Sequence, residues 1–244
     1  MYKYEATKRE IFVSTIIICA MLIIGKLIVD SIVSSATEKA FELQTAVQVY
    51  DEETFDYIKS VDAGPFLAEG SLIANEIMTL PELSGQYSKI RKVKEEYTKH
   101  ERTVTKTNEK GETYEETETY YEWDYESSDE FVTGSFTFLG QCFTAKELRY
   151  GIPTNYEKTI YESSDVRYCY YTAPVVVEGT IIGNADEKCF KETEFKKNET
   201  IESIIKRAER KIDNAPITFW ILWGALIVSL VIIFIIQDNY WLNK

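Results

Sequence analysis

The chain has 244 residues, 45% of them hydrophobic, and a formal charge of −13. That length suits one ordinary domain with attachments. The acidic balance argues against a nucleic-acid partner and fits either plain solubility or a basic partner.

The first element is an apolar run at residues 11–29, IFVSTIIICAMLIIGKLIV, interrupted only by Lys26. A helix of about twenty residues spans roughly 30 Å, the thickness of a bilayer core, so this run reads as a membrane anchor. Lys26 lies near one end, where it can snorkel, and Asp30 stands four residues on to pair with it. A cleaved signal peptide is the alternative, with small residues at Ser34–Ala36. Lys26 and Asp30 interrupt that pattern, and an uncleaved anchor fits better. Residues 34–61 carry Ala36, Ala40, Phe41, Leu43, Val47 and Tyr50 at roughly helical intervals, so the helix is expected to continue outward until Gly64 and Pro65 break it. A short strand at 66–73, a turn at PELSG and a strand resuming near Tyr87 follow.

The stretch from Val93 to Tyr125 is almost all charge, threonine and tyrosine. Its TNEKGE has the composition of a type I turn with a glycine bulge, Asn108 opening the turn and Gly111 supplying a positive φ. A hairpin closed there pairs Asn108 with Glu112, Lys99 with Tyr121, Tyr97 with Trp123 and Val93 with Ser127. Alternation puts Thr119, Tyr121, Trp123 and Tyr125 on one face with Tyr97, and Glu116, Glu118, Glu122 and Asp124 on the other. The aromatic face is expected to be core. The polar outer half is expected to project, with Lys99, His100, Arg102, Glu109, Lys110, Glu116 and Glu118 as interaction candidates.

Residues 130–140 read as a strand and 144–153 as one or two helical turns ended by Gly151 and Pro153. Residues 166–172 and 175–182 read as buried strands. Thr200 is expected to cap an amphipathic helix with Ile201, Ile204, Ile205, Ala208 and Ile212 on one stripe. Pro216 separates it from a second apolar run at 217–236, which contains no charge. Gly25, Lys26, Asp30, Gly224 and Ser229 are candidates for packing between the two membrane helices. The expected organisation is α+β. A tail at 1–10 leads to a transmembrane helix at 11–33 and a helical stalk at 34–65. An acidic β-rich domain with a long β-hairpin covers 66–195. An amphipathic helix at 196–215, a transmembrane helix at 216–237 and a tail at 238–244 complete the chain. Residues 1–33 sum to +1 and residues 216–244 to zero, which leaves −14 for the middle.

Orientation rests on a divided set of charges. Lys3, Lys8 and Arg9 favour a cytosolic N-terminus, whereas Lys206, Arg207, Arg210 and Lys211 favour a cytosolic middle. The first helix usually dominates, so the middle domain is expected outside the cytosol. Two of Cys142, Cys169 and Cys189 can form one disulfide, and Asn198 opens a glycosylation sequon. There is one histidine, His100, and no zinc-protease, phosphate-loop, nucleophile-elbow or calcium-loop pattern. No catalytic residue, cofactor or metal is therefore expected.

The segment from EGSLIANEIMTLPELSGQYSKI through YYEWDYESSDEF, with GSFTFLGQCFTAKEL after it, resembles the LUMA (transmembrane protein 43) family. The shared pattern is a strand entering a charged turn and a Tyr/Trp-ended return. The segment is also similar to the intermembrane-space domain of GIDE-type membrane ubiquitin ligases, which places a Glu-rich hairpin between two membrane helices. The likeness covers roughly residues 69–183. Only QDNYWLNK follows the last apolar run, so the RING domain and its ligase activity are not carried over, and neither are the several C-terminal helices of LUMA proteins. The resemblance implies an extracytosolic β-rich domain with a scaffolding or sensing role. The expected function is a non-catalytic membrane-anchored scaffold, sensor or assembly subunit, with the bilayer and other membrane proteins or its own copies as partners. The alternatives are a surface receptor or viral envelope-type module that binds through the 99–118 hairpin tip, and an auxiliary subunit of a membrane enzyme or channel.

Overall fold

The computed structural model describes residues 7–242. The tail expected at 1–10 is therefore seen only from Thr7, and residues 243–244 of the expected C-terminal tail lie outside the described residues. The fold is α+β, and the chain divides into two compact units. One holds both terminal helices with residues 65–67; the other holds residues 48–64 and 68–199.

In the helical unit, α1 (Lys8–Thr45) starts at a capping box. Thr7 Oγ1 accepts from the Glu10 N–H at 3.2 Å, and Glu10 Oε2 accepts from the Thr7 N–H at 2.7 Å. These reciprocal bonds satisfy donors that have no partner within the helix. α1 ends at Thr45 instead of running on to Val61, because Ala46 takes an extended conformation. A short strand β1 (Val47–Val49) follows, and Asp51 caps a separate helix α2 (Glu52–Ser60) by accepting from the Thr54 N–H at 2.8 Å. The apolar spacing at 34–61 thus belongs to two helices.

At the other end, α3 (Ile201–Leu242) is a single helix with Pro216 inside it. The amphipathic and apolar stretches expected as two helices are therefore continuous. Proline lacks an N–H, so one bond is lost there without ending the helix. Thr200 does cap it, accepting from the Ser203 N–H at 3.2 Å. The two long helices run antiparallel. Gln44 donates to Glu209 at 2.8 Å, the Trp223 indole donates to the Met21 carbonyl at 2.9 Å, and Arg9 pairs with Asp238 at 3.0 Å. Both are long and apolar enough to cross a membrane. Their apolar side chains face outward to an extent no soluble core shows, with Leu27 67% and Ile221 68% exposed.

The other unit carries two sheets. The strands are β2 (Gly64–Ala74), β3 (Tyr87–Thr107), β4 (Thr113–Val132), β5 (Phe136–Phe138), β6 (Gln141–Phe143), β7 (Asn155–Tyr161), β8 (Val166–Pro174), β9 (Val176–Asp186) and β10 (Cys189–Lys197). One sheet has the order β10-β9-β2-β5-β6, with β1 also on β2; the other has the order β4-β3-β8-β7. The strand expected at 130–140 is split between them. Its first residues finish β4, a bend around Gly134 breaks the extended run, and Phe136 starts β5. The paired apolar runs near 166–182 form β8 and β9 as expected, but in different sheets. TAKELRYGIP makes a turn held by Thr144 and Glu147.

The first sheet is built on an aromatic core. Phe55 stacks on Phe190 at 4.3 Å and meets Phe138 edge-on at 5.9 Å, while Phe195 lies 5.1 Å from Tyr150. Phe55, Phe136 and Phe138 are fully buried. Burial of the Tyr150 phenol pushes its pKa up. The second sheet has a smaller core of Leu83, Ile90 and Tyr170, covered by Met78, Leu80 and Tyr87.

Candidate functional site

The hairpin β3–β4 is the largest feature that the two cores do not absorb. Asn108 and Glu112 close it: the Asn108 N–H donates to the Glu112 carbonyl at 2.9 Å, and the Gly111 N–H donates to the Asn108 carbonyl at 3.0 Å. The Asn108 side-chain oxygen accepts from the Lys110 and Glu112 N–H groups, each at 3.0 Å. Gly111 has φ +82°, which favours glycine. The turn is the one expected from TNEKGE.

Pairing follows the expected register from the tip to the root. Lys99 faces Tyr121, Tyr97 faces Trp123, and Glu95 faces Tyr125. The register then shifts, so that Lys94 faces Ser127 and Val93 faces Ser128 instead of Ser127. Glu126 is the extra residue of a β-bulge, and its carboxylate pairs with Lys94 at 2.5 Å. A single extra residue in a long polar strand leaves no mark on its alternation.

β8 pairs with β3 only between Tyr87 and Glu96. The Tyr97 N–H still donates to the Asp165 carbonyl in the turn before β8 at 2.9 Å; beyond it β3 and β4 pair only with each other among the described residues. At about 3.4 Å per residue, the free arm from Thr98 to the turn is about 35 Å long.

One face of the arm is a charge ladder. Arg102 lies 3.1 Å from Glu118, and Lys106 bridges Glu118 at 2.9 Å and Glu116 at 3.0 Å. Hydrogen bonds from Lys106 first, then Arg102, hold the Glu118 carboxyl below its usual value; Glu118 and Glu116 in turn raise Lys106. Nearer the root, Thr98, His100 and Asp124 form a closed set. The Thr98 hydroxyl donates to Asp124, and the His100 ring nitrogen Nε2 lies 2.6 Å from the same carboxylate oxygen. These bonds, the Thr98 one first, lower the Asp124 pKa. The His100 ring stacks on Tyr120 at 5.3 Å. His100, Glu122 and Asp124 form the one group among the described residues that could hold a metal ion, their ligand atoms all within 4.8 Å. The set is already satisfied internally by the Thr98 and His100 hydrogen bonds.

The opposite face is aromatic, and it is exposed. Tyr97, Tyr121 and Tyr125 are 42%, 54% and 60% exposed, so the expectation that this face is core is overturned. The Leu83, Ile90 and Tyr170 core of this sheet forms on the other face, under Met78, Leu80 and Tyr87; on the aromatic face the buried residues are Val93 and Cys169, short of the exposed tyrosines. Tyr97 stacks on Tyr121 at 5.5 Å and lies 5.1 Å from Trp123. Trp123 meets Tyr161 of β7 edge-on at 5.8 Å, and the Arg167 guanidinium of β8 sits over Trp123 at 4.3 Å. Arg167 is fixed there by Glu95 at 2.6 Å. The result is a ladder of four rings and a cation across all four strands of the sheet.

Of the expected contact residues, Arg102, Glu116 and Glu118 join the charge ladder. Lys99 pairs with Glu101 beside it at 3.0 Å, His100 joins the Asp124 set, and Glu109 and Lys110 lie in the turn. Tyr161 and Arg167 were missed as site residues. Their signal lies in IYESSDVRY, whose short loop between two β-forming runs marks a second hairpin that brings them beside Trp123.

In the helical unit, Gly25 is a packing residue. A Cβ there would lie 2.5 Å from Trp223 Nε1, whereas at Gly224 it would meet nothing within 4 Å. Lys26 pairs with Asp30 on the exposed surface of α1, and Ser229 donates to the Ala225 carbonyl of its own helix. Gly25 alone of the five packing candidates lies in the helix contact. Cys142, Cys169 and Cys189 are free thiols. Cys169 lies on β8, while Cys142 and Cys189 line a cavity of about 360 Å³ with Arg149 and Glu147. Asn198 is exposed, and its N–H donates to the Glu178 carbonyl at 2.8 Å.

Compared with known proteins, the chain matches no family model, no curated protein and no solved structure.

Proposed function

We propose that the protein is a non-catalytic, membrane-anchored scaffold or assembly subunit that captures a partner on the aromatic face of its hairpin arm. In this reading α1 and α3 cross a membrane, and the sheet-rich unit between them lies outside the cytosol. The observation that carries it is the exposed Tyr121–Tyr97–Trp123–Tyr161 ladder with Arg167. Trp, Tyr and Arg dominate the energetics of protein interfaces, and contiguous exposed rings are costly to leave in water. The charge ladder on the opposite face supports the same reading, because it holds the arm extended without burial. A likeness to LUMA and GIDE-type proteins is proposed at the level of this plan alone: a Glu-rich hairpin on a domain between membrane helices.

The test is co-purification of the full chain from its native membrane in mild detergent, followed by sizing. Photo-crosslinking from position 121 then maps what the arm touches. The wild-type chain is expected to bring down another membrane protein or further copies of itself. The Tyr97→Ser/Trp123→Ser variant loses that association by about tenfold or more. Retention of the same partner by the variant, or turnover of a substrate by the purified protein, overturns the reading.

A further inference from the structure

An open groove of about 960 Å³ lies between α1 and α3, where the apolar runs give way to polar sequence. Its lining is layered. Lys39 of α1 faces Arg207, Arg210 and Lys211 of α3 at one end. Ser35 and Asn214, then Ser31 and Thr218, form a neutral hydrogen-bonding layer. Ile32, Phe219 and Leu222 form the apolar floor. Four lining residues carry positive charge and none carries negative charge. Lys39, Arg210 and Lys211 have no carboxylate partner among the described residues.

We infer that this groove is a binding site for the headgroup of an anionic phospholipid. The inference rests on the proposed membrane-spanning role of the two helices and adds a specific ligand to it. The apolar run of α3 begins at Ile217, so Arg210 and Lys211 stand about 10 Å along the helix axis from the hydrocarbon boundary. The headgroup layer is about 5–8 Å thick on each side of a bilayer, and flexible basic side chains close the remaining gap. The phosphate then meets the guanidinium and ammonium groups. The hydroxyls of Ser31 and Thr218 lie at the depth of the glycerol esters, and the acyl chains run down over Phe219 and Leu222. A basic pocket between membrane helices is the ordinary way a protein selects such headgroups. This occupant also accounts for the basic cluster before α3, which conflicts with the proposed orientation if it is read as a topology signal alone.

Native mass spectrometry of the full chain in detergent tests this with dioleoyl phosphatidylglycerol and dioleoyl phosphatidylcholine supplied in equal amounts. The expected result is preferential retention of phosphatidylglycerol. Each basic residue near such a surface is worth roughly a fivefold change in affinity. Arg210→Gln and Lys211→Gln singly should therefore lower retention about fivefold, and the double variant about thirtyfold. Lys206→Gln is the control, because Lys206 pairs with Glu202 at 2.6 Å and does not line the groove. Equal retention of the two lipids, or an unchanged preference in the double variant, overturns the site. Loss of the lipid to millimolar inorganic phosphate assigns the groove to a free anion instead and overturns it equally. Alkaline carbonate extraction separates this from failure of the membrane reading: release of the protein from membranes defeats the spanning helices themselves, whatever the lipid adducts show.

Discussion

The aromatic core around Phe55 and the aromatic ladder on the arm use similar side chains on similar strands and arrive at opposite fates. Phe55, Phe136 and Phe138 are fully buried, while Tyr97 and Tyr121 stand in solvent. The difference lies in what covers them. α2 brings Phe55 onto the first sheet, whereas the arm outruns β8 and keeps both faces open. Period-two alternation assigns residues to a face, but a neighbouring segment decides whether that face is dry.

The largest expected effect breaks the comparison from the core side. Phe55→Ala removes a fully buried ring in contact with Phe138 and Phe190, and should cost about 3–5 kcal/mol. Denaturant melts of the purified protein should show it as a lowered midpoint at unchanged slope. A cost below about 1 kcal/mol would mean that the site collapses around the gap and that the cluster is not the core it resembles.

The helical unit gives the next largest. Gly25→Ala places a Cβ against the Trp223 indole and must displace the group that donates to the Met21 carbonyl. Overpacking of this kind costs about 1–3 kcal/mol. Gly224→Ala meets nothing and should be neutral. Tryptophan fluorescence during thermal unfolding in detergent separates the two variants. Equal behaviour would remove Gly25 from the helix contact.

Much of the plan was legible in the residues. The two apolar runs, the Asn108–Gly111 turn and the arm register out to Tyr97–Trp123 follow from length, turn chemistry and alternation. What escaped was non-local. The bulge at Glu126 adds one residue to a strand already polar on both faces, so no hydrophobic pattern marks the slip. The end of α1 at Thr45 depends on Ala46 and Asp51, while the apolar spacing runs on across the break. Pro216 reads as a boundary, yet the helix absorbs one missing bond. Alternation and ring hydrophobicity alone place the aromatic face in the core. Its exposure depends on where residues 78–87 fold back, which no local pattern states.

A smaller effect on stability, and a larger one on association, is expected at Trp123. It touches Tyr97, Tyr161 and Arg167 at a surface open to solvent. Trp123→Ala should cost only about 1 kcal/mol in the denaturant midpoint, while partner association falls far more. A stability loss as large as that of Phe55→Ala would make the ladder structural and weaken the docking proposal.

The smallest effect isolates the charged face. Glu118 and Asp124 both have lower pKa values in the folded arm than the ordinary 4.5 and 3.8 they would take in an unfolded chain. Each therefore binds protons more readily when the arm is open. Their contribution is full above those ordinary values and is lost as pH falls through the depressed ones. Neither carboxylate contributes a change between pH 7 and pH 5. Below about pH 4 the amides of Val104 and Glu116, which face each other across the arm in the same bonded phase as Asn108 and Glu112, should lose protection relative to their intrinsic exchange rates while those around Phe55 stay protected. Glu118→Gln should reproduce part of that loosening at pH 7, because it removes the charge that Arg102 and Lys106 share. Being solvent-exposed, the pairs are screened, and added salt should narrow the difference between variant and wild type. Arm amides that remain as protected in acid as at neutrality would show that backbone pairing alone holds the arm. The charge ladder would then serve recognition, and the two faces of the arm would share one role instead of dividing support from capture.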